Sequence, residues 1–136
     1  MALADRLRQR IEAEGPLPFD GWMEACLYDP QEGYYMRPGR RTGAGADADF
    51  ATSPTLHPFF GAAVAMEAAA AWDRLGRPRP YPVVEFGGGE GDLARGALAW
   101  LDQSRPDLAP HVRWQHVERS PSHRAAQART ADSRLE

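Results

Sequence analysis

The sequence predicts an α/β chain with one parallel β-α-β unit behind a helical N-terminal part, and three features predict it. Val83-Val84-Glu85-Phe86 is a short β-branched and apolar run that reads as a buried strand. Gly87 to Gly91 follows at once as a glycine-rich tight turn, after which Leu93, Ala94, Ala97, Leu98 and Leu101 recur at helical spacing. His111 to Val117 then reads as a second strand, with the acidic Glu118 at its end. Strand, glycine turn, helix and strand in that order make a crossover unit whose two strands run parallel.

The elements before the unit follow from spacing and punctuation. Leu3, Leu7 and Ile11 recur every four residues among Arg and Glu, the pattern of a helix that buries one stripe, and Gly15-Pro16 ends it. Pro18 and Asp20 offer the next helix start, with Asp20 as N-cap, and Trp22, Met23, Cys26 and Leu27 form its apolar face before Asp29-Pro30. Gly33 to Pro58 reads as a long loop punctuated by Gly39, Gly43 and Gly45. Its Arg40–Ala48 part lacks any bulky apolar side chain and is expected to be mobile, whereas Asp49-Phe50-Ala51-Thr52-Ser53-Pro54 carries an aromatic anchor and several hydrogen-bonding groups. Between Pro58 and Gly76, Phe60, Val64, Ala68, Trp72 and Leu75 share one side of a helical wheel, and the many alanines favour helix. Pro78, Pro80 and Pro82 lead stiffly into the first strand, and Ser120-Pro121 opens a last helix through Gln127. Two parts result: residues 1–58, helices and a site loop, and residues 59–136, the start of a nucleotide-type domain.

Composition narrows the function classes. With 136 residues, 43% hydrophobic and 26% charged, the chain is long enough to bury a core. All sixteen basic residues are Arg, scattered among acids at a formal net charge of −3, so no basic stripe for nucleic acid is expected. The lone Cys26 excludes an internal disulfide and a cysteine-based metal site, fits a reducing compartment, and is expected in the core; the expected localisation is cytoplasmic, in a bacterium. No metal is expected, and no membrane association either: Phe59 to Trp72 is interrupted by Glu67 and falls short of the ~20 apolar residues of a span.

The turn itself carries the chemistry. Glycines where a strand hands over to a helix let the backbone take positive φ and approach a ligand closely. The dinucleotide pattern G-x-G-x-x-G fails by one residue, because the third glycine would fall on Asp92, whose charge beside Glu90 would repel a pyrophosphate. A P-loop needs a Lys, and the chain has none. What remains is E-x-G-x-G-x-G, namely Glu85, Gly87, Gly89 and Gly91, with Glu118 at the end of the next strand, where a carboxylate accepts hydrogen bonds from ribose hydroxyls. A cationic ligand such as S-adenosylmethionine suits this acidic turn, through Glu85, better than a phosphate does.

Four segments, in order, resemble the MidA-type S-adenosylmethionine-dependent methyltransferases of bacteria and mitochondria. They are Gly15-Pro16-Leu17-Pro18-Phe19 with Trp22-Met23-Glu24 and Leu27-Tyr28-Asp29-Pro30; Gly33-Tyr34-Tyr35; Asp49-Phe50 with Thr52-Ser53-Pro54 and Phe60-Gly61; and the glycine turn with Val117-Glu118-Arg119-Ser120-Pro121 and Arg124. The resemblance implies a Rossmann-like methyltransferase fold, S-adenosyl-L-methionine as cofactor and a protein arginine side chain as acceptor, in a family whose mitochondrial members assist respiratory complex I assembly. It implies that Gly87, Gly89 and Gly91 pass under the cofactor, that Glu118 holds its ribose, and that Thr52, Ser53 and Pro54 lie beside the methyl-transfer site. Read from the residues alone, Thr52 to Pro54 also serve as a helix-capping turn, and Tyr34 and Tyr35 as packing residues.

The chain departs from the family pattern at Ala48, Thr55 and Arg95-Gly96, where the family carries Gly, Glu and an Asp-bearing helix; Gly96 alone weakens its helix by ~1 kcal/mol relative to Ala. Catalytic residues are not assigned. Such a fold needs about seven strands, of which two are legible, so a truncated, N-terminal fragment with open sheet edges prone to self-association is expected. The competing reading is a non-catalytic protein-interaction module, or degenerate paralogue, that keeps the β-α-β unit.

Overall fold

The computed structural model describes residues 1–38, 43 and 48–136, which fall into two compact units, Met1–Gly39 and Arg40–Glu136. Gly39, Gly45 and most of the Arg40–Ala48 stretch expected to be mobile lie outside the described residues.

In the first unit, α1 (Leu3–Glu14) and α2 (Phe19–Tyr28) form where the spacing predicts them. Two short helices have little volume in which to hide apolar surface. Leu3 and Leu7 are accordingly half-buried and Ile11 is exposed, so the stripe is only partly covered; Cys26, expected in the core, is half-buried too. Asp20 is not the N-cap of α2. Pro18 takes that position with φ −59° and ψ 149°, and Asp20 sits inside the first turn, where its charge complements the helix dipole. Arg6 of α1 binds Asp29, which caps the backbone amides of Gln31 and Glu32 at 3.0 and 2.9 Å. Tyr34 packs edge-on against Tyr35 at 4.9 Å between ring centroids, and Tyr35 against Tyr28 at 5.8 Å.

The second unit is the α/β part, with the elements α3 (Ser53–Leu56), α4 (Phe59–Arg74), β1 (Tyr81–Phe86), α5 (Asp92–Ser104), a 3₁₀ turn at Ala109–His111, β2 (Val112–Val117) and α6 (Pro121–Gln127). The long loop is therefore interrupted by a one-turn helix, α3, which its Ser-Pro start favours. β1 and β2 pair in parallel, with Glu85 opposite His116 and Phe86 opposite Val117. A third extended segment, unseen in the sequence, continues the ladder: Trp114 and Leu135 form a parallel bridge, with Trp114 N donating to Arg134 O at 2.7 Å and Glu136 N to Trp114 O at 2.9 Å. The fold is a partial Rossmann-like sheet.

Tyr81, Val112 and Trp114 point to one face, where they pack with α4, α5 and Leu108 into the core. The other face, with Val84 and Phe86, is exposed. Of the predicted stripe of α4, Trp72 is buried and Val64 and Ala68 are half-buried against the core, whereas Phe60 and Leu75 are exposed; the rest of the buried face is Gly61, Ala65 and Ala69. Small size decides that face. A Cβ on Gly61 would stand 2.8 Å from the Gly96 carbonyl carbon and the Ala97 nitrogen of α5, so the two backbones cross almost in contact. Gly96, a liability by helix propensity, thus faces the closest approach of two helices. No described helix is long and apolar enough to cross a membrane.

Candidate functional site

β1 ends at Phe86, and Gly87 N donates to Val117 O at 2.9 Å, extending the ladder by one residue before the chain turns. Gly87, Gly89 and Gly91 have φ of 69°, 55° and 85°, left-handed values that side chains disfavour. Gly91 N closes the turn on Gly88 O at 2.9 Å, and Gly91 then serves as the N-cap of α5. A Cβ on Gly87 or Gly89 would meet nothing within 4 Å, so both positions face open space.

Glu118 lies at this turn. Its Oε2 accepts the Gly89 amide at 2.9 Å and its Oε1 the Ser120 amide at 2.7 Å, with a side chain only 7% exposed. His123 Nδ1 stands 3.8 Å from Oε2. Gln127 of α6 completes the grip, its amide donating to Gly89 O at 2.8 Å. Gly89 is therefore held at both its backbone polar atoms, the N–H by the residue that follows β2 and the C=O by α6.

A cavity of about 310 Å³ opens above the turn, lined by Gly87, Gly88, Gly89, Glu85, Phe86 and Glu90 on one side and by Thr52, Pro54 and Thr55 on another. Of the residues singled out in the sequence, Ser53, Gly91 and Glu118 are not in its wall: Ser53 opens α3, Gly91 is buried beneath α5, and Glu118 reaches the site through the Gly89 amide. Thr52 lines the cavity and is the N-cap of α3, whereas the helix that begins at Phe59 has Pro58 at its N-cap. Thr55, where the family pattern has Glu, takes the third helical position, accepting from Thr52 N at 3.0 Å and donating to Thr52 O at 2.8 Å. Asp92 is neutralised by Arg95, which also donates to Glu90 O at 2.6 Å.

Beneath the turn sit residues that the sequence reading passed over. Trp114 Nε1 donates to Glu85 Oε2 at 2.8 Å, the partner a buried indole requires. His116 fills the space under the glycines: a Cβ on Gly88 would fall 2.6 Å from its Cδ2 and 3.2 Å from the Glu85 carboxyl carbon. Register was the missed signal, since parallel pairing sets His116 beside Glu85 on the same face.

Comparison with known proteins fits this geometry. A family model described as "Putative S-adenosyl-L-methionine-dependent methyltransferase" matches residues 63–135, just over half of the chain. The chain belongs to that methyltransferase family. It is similar to the Drosophila melanogaster protein named "Protein arginine methyltransferase NDUFAF7 homolog, mitochondrial", with 38% identity over 129 residues, 93% of this chain and 28% of that one. The human protein named "Protein arginine methyltransferase NDUFAF7, mitochondrial" is 31% identical over 97 residues, 71% of this chain and 21% of the relative. A Burkholderia thailandensis protein, crystallised with S-adenosyl-homocysteine, superposes with a TM-score of 0.81 at 35% identity, covering 98% of this chain and 36% of its own. The chain thus spans 28% of the length of the Drosophila relative and 36% of the Burkholderia chain.

Proposed function

We propose that this chain forms the S-adenosyl-L-methionine-binding front of a methyltransferase whose acceptor is a protein arginine side chain. The observation that carries the reading is the joint placement of the glycine turn and Glu118: the carboxylate is hydrogen-bonded to Gly89 in the turn that floors the cavity. Membership of the family and the names of the relatives support the donor and the acceptor, respectively.

The residues fit the donor. Glu85 and Glu90 give the cavity wall an acidic character that complements an ammonium and a sulfonium, and Gly87 and Gly89 leave the room that a Cβ would fill. Glu118 uses one acceptor site on each oxygen for a backbone amide, so each oxygen keeps a second site for a ribose hydroxyl. When bound, S-adenosyl-L-methionine supplies an activated methyl group on sulfur. The chain's own contribution is position: Glu118 and Gln127 fix the turn before any ligand arrives, and a fixed site orders its ligand at less entropic cost. Thr52 and Pro54 border the same cavity.

Calorimetry of the folded protein with S-adenosyl-homocysteine tests the reading. Saturable heat is the expected result; its absence at millimolar ligand would overturn the proposal and leave the interaction-module reading in its place.

A further inference from the structure

His116 is buried at the site without an assigned task. Its side chain is 4% exposed, and its Nε2 is enclosed with no hydrogen-bond partner among the described residues. Enclosed ring nitrogens are normally paired, and an orphan of this kind calls for a partner that arrives or moves. The nearest acceptor is Glu85 Oε2, 3.4 Å away and already bonded to Trp114 Nε1. Two side chains of β2, Trp114 and His116, therefore converge on one carboxylate oxygen of β1, while Glu85 lines the cavity above.

The surroundings fix the ring. A Cβ on Gly88 would stand 2.6 Å from Cδ2 and one on Gly91 3.7 Å from Cε1, so the glycines of the turn pack over the imidazole. The other ionisable groups around it are Arg124 of α6 and Glu136 beside β2, which line the same cavity as His116 on its far side. A neutral imidazole that donates from Nε2 strengthens the hold on Glu85 without cancelling its negative charge.

We infer that His116 is a positioning residue for Glu85: it donates from Nε2 to Oε2 when a ligand's ammonium group occupies the cavity, so that Trp114 and His116 together hold that oxygen and leave Oε1 for the ligand. The inference rests on the proposal that the cavity takes S-adenosyl-L-methionine. It adds a named residue outside the cavity wall that sets how well Glu85 meets the ligand's positive charge.

Two measurements on the intact protein test it. In calorimetry with S-adenosyl-homocysteine, His116→Met, which fills the space but cannot donate, is expected to weaken binding by about tenfold or more. His116→Gln, whose amide nitrogen can take the place of Nε2, should restore affinity to within about threefold of wild type. In ¹⁵N NMR of the wild type, the His116 Nε2 resonance should shift to a hydrogen-bonded position on saturation, and should not do so in Glu85→Leu, which has no side-chain acceptor. A Met variant that binds like wild type, or an Nε2 resonance unmoved at saturation, overturns the inference while the cofactor reading stands. A folded wild type that binds no S-adenosyl-homocysteine overturns both. If His116→Met does not fold, the wild-type resonance decides alone.

Discussion

Glu118 Oε2 accepts the amide of Gly89, twenty-nine residues earlier in the chain, at 2.9 Å. The carboxylate is thus part of the turn's own structure as well as a candidate ligand group. Removing it leaves the Gly89 and Ser120 amides without their acceptor, at a cost of about 1–3 kcal/mol for each buried donor that water does not reach. Glu118→Ala should therefore lower the melting temperature of the ligand-free protein and weaken S-adenosyl-homocysteine binding by at least about tenfold. Thermal melts beside calorimetry check this; an unchanged melt would show that the bond to Gly89 carries no stability.

Gly87 and Gly89 separate strain from obstruction. Both have positive φ, so an alanine costs about 1–2 kcal/mol in backbone strain, yet its Cβ would touch no protein atom. Gly89→Ala should fold with a modest loss of stability in urea titration and lose far more in ligand affinity, because the methyl group enters the cavity. Equal losses in both measurements would mean that the cavity is not where the ligand lies.

Most of the second unit was legible because its signals are local. β1, the glycine turn, α5, β2 and α6 each announce themselves through β-branched runs, glycine spacing or a Ser-Pro cap, and Glu118 follows from its place after β2. What was not legible depends on geometry between elements. On α4 a helical wheel shows Trp72 but not Gly61, Ala65 and Ala69, because large apolar residues dominate the wheel whereas these three make the contact through their small size. His116 and Gln127 reach the turn only once the strand register and the path of α6 are known. The pairing of residues 134–136 with β2 likewise rests on backbone bonds that no side-chain pattern encodes.

Acid should weaken the second unit through a cluster far from the site. Arg105 binds Asp107 and Asp73 and lies over the Trp72 ring, 5.5 Å from its centroid. The Arg105 hydrogen bond holds the Asp107 carboxyl down to about 2, and Asp73 is lowered by the same guanidinium. Because these carboxyls are more acidic folded than unfolded, the unfolded chain takes up protons first as pH falls. Their contribution is complete above about pH 4 and is lost on the way down to about pH 2. Both groups are solvent-exposed, so the effect should be modest and shrink with added salt. Melting temperatures of wild type and Asp107→Asn should converge in that window; a constant gap would rule out the linkage.

The glycine pair between α4 and α5 gives the sharpest test of the packing. An alanine at Gly61 places its methyl 2.8 Å from the Gly96 carbonyl carbon and the Ala97 nitrogen, which are backbone atoms that cannot swing aside, so the helices must part. Overpacking of this kind costs about 1–3 kcal/mol. At Gly96 the nearest atom, Gly61 Cα, is 3.5 Å away, an ordinary contact, and the alanine gains about 1 kcal/mol of helix propensity. Two substitutions of one methyl group each, on facing residues, should therefore act in opposite directions: Gly61→Ala lowers the denaturation midpoint, and Gly96→Ala leaves it unchanged or raises it. Equal destabilisation by both would mean that the helices are not held at this separation by Gly61.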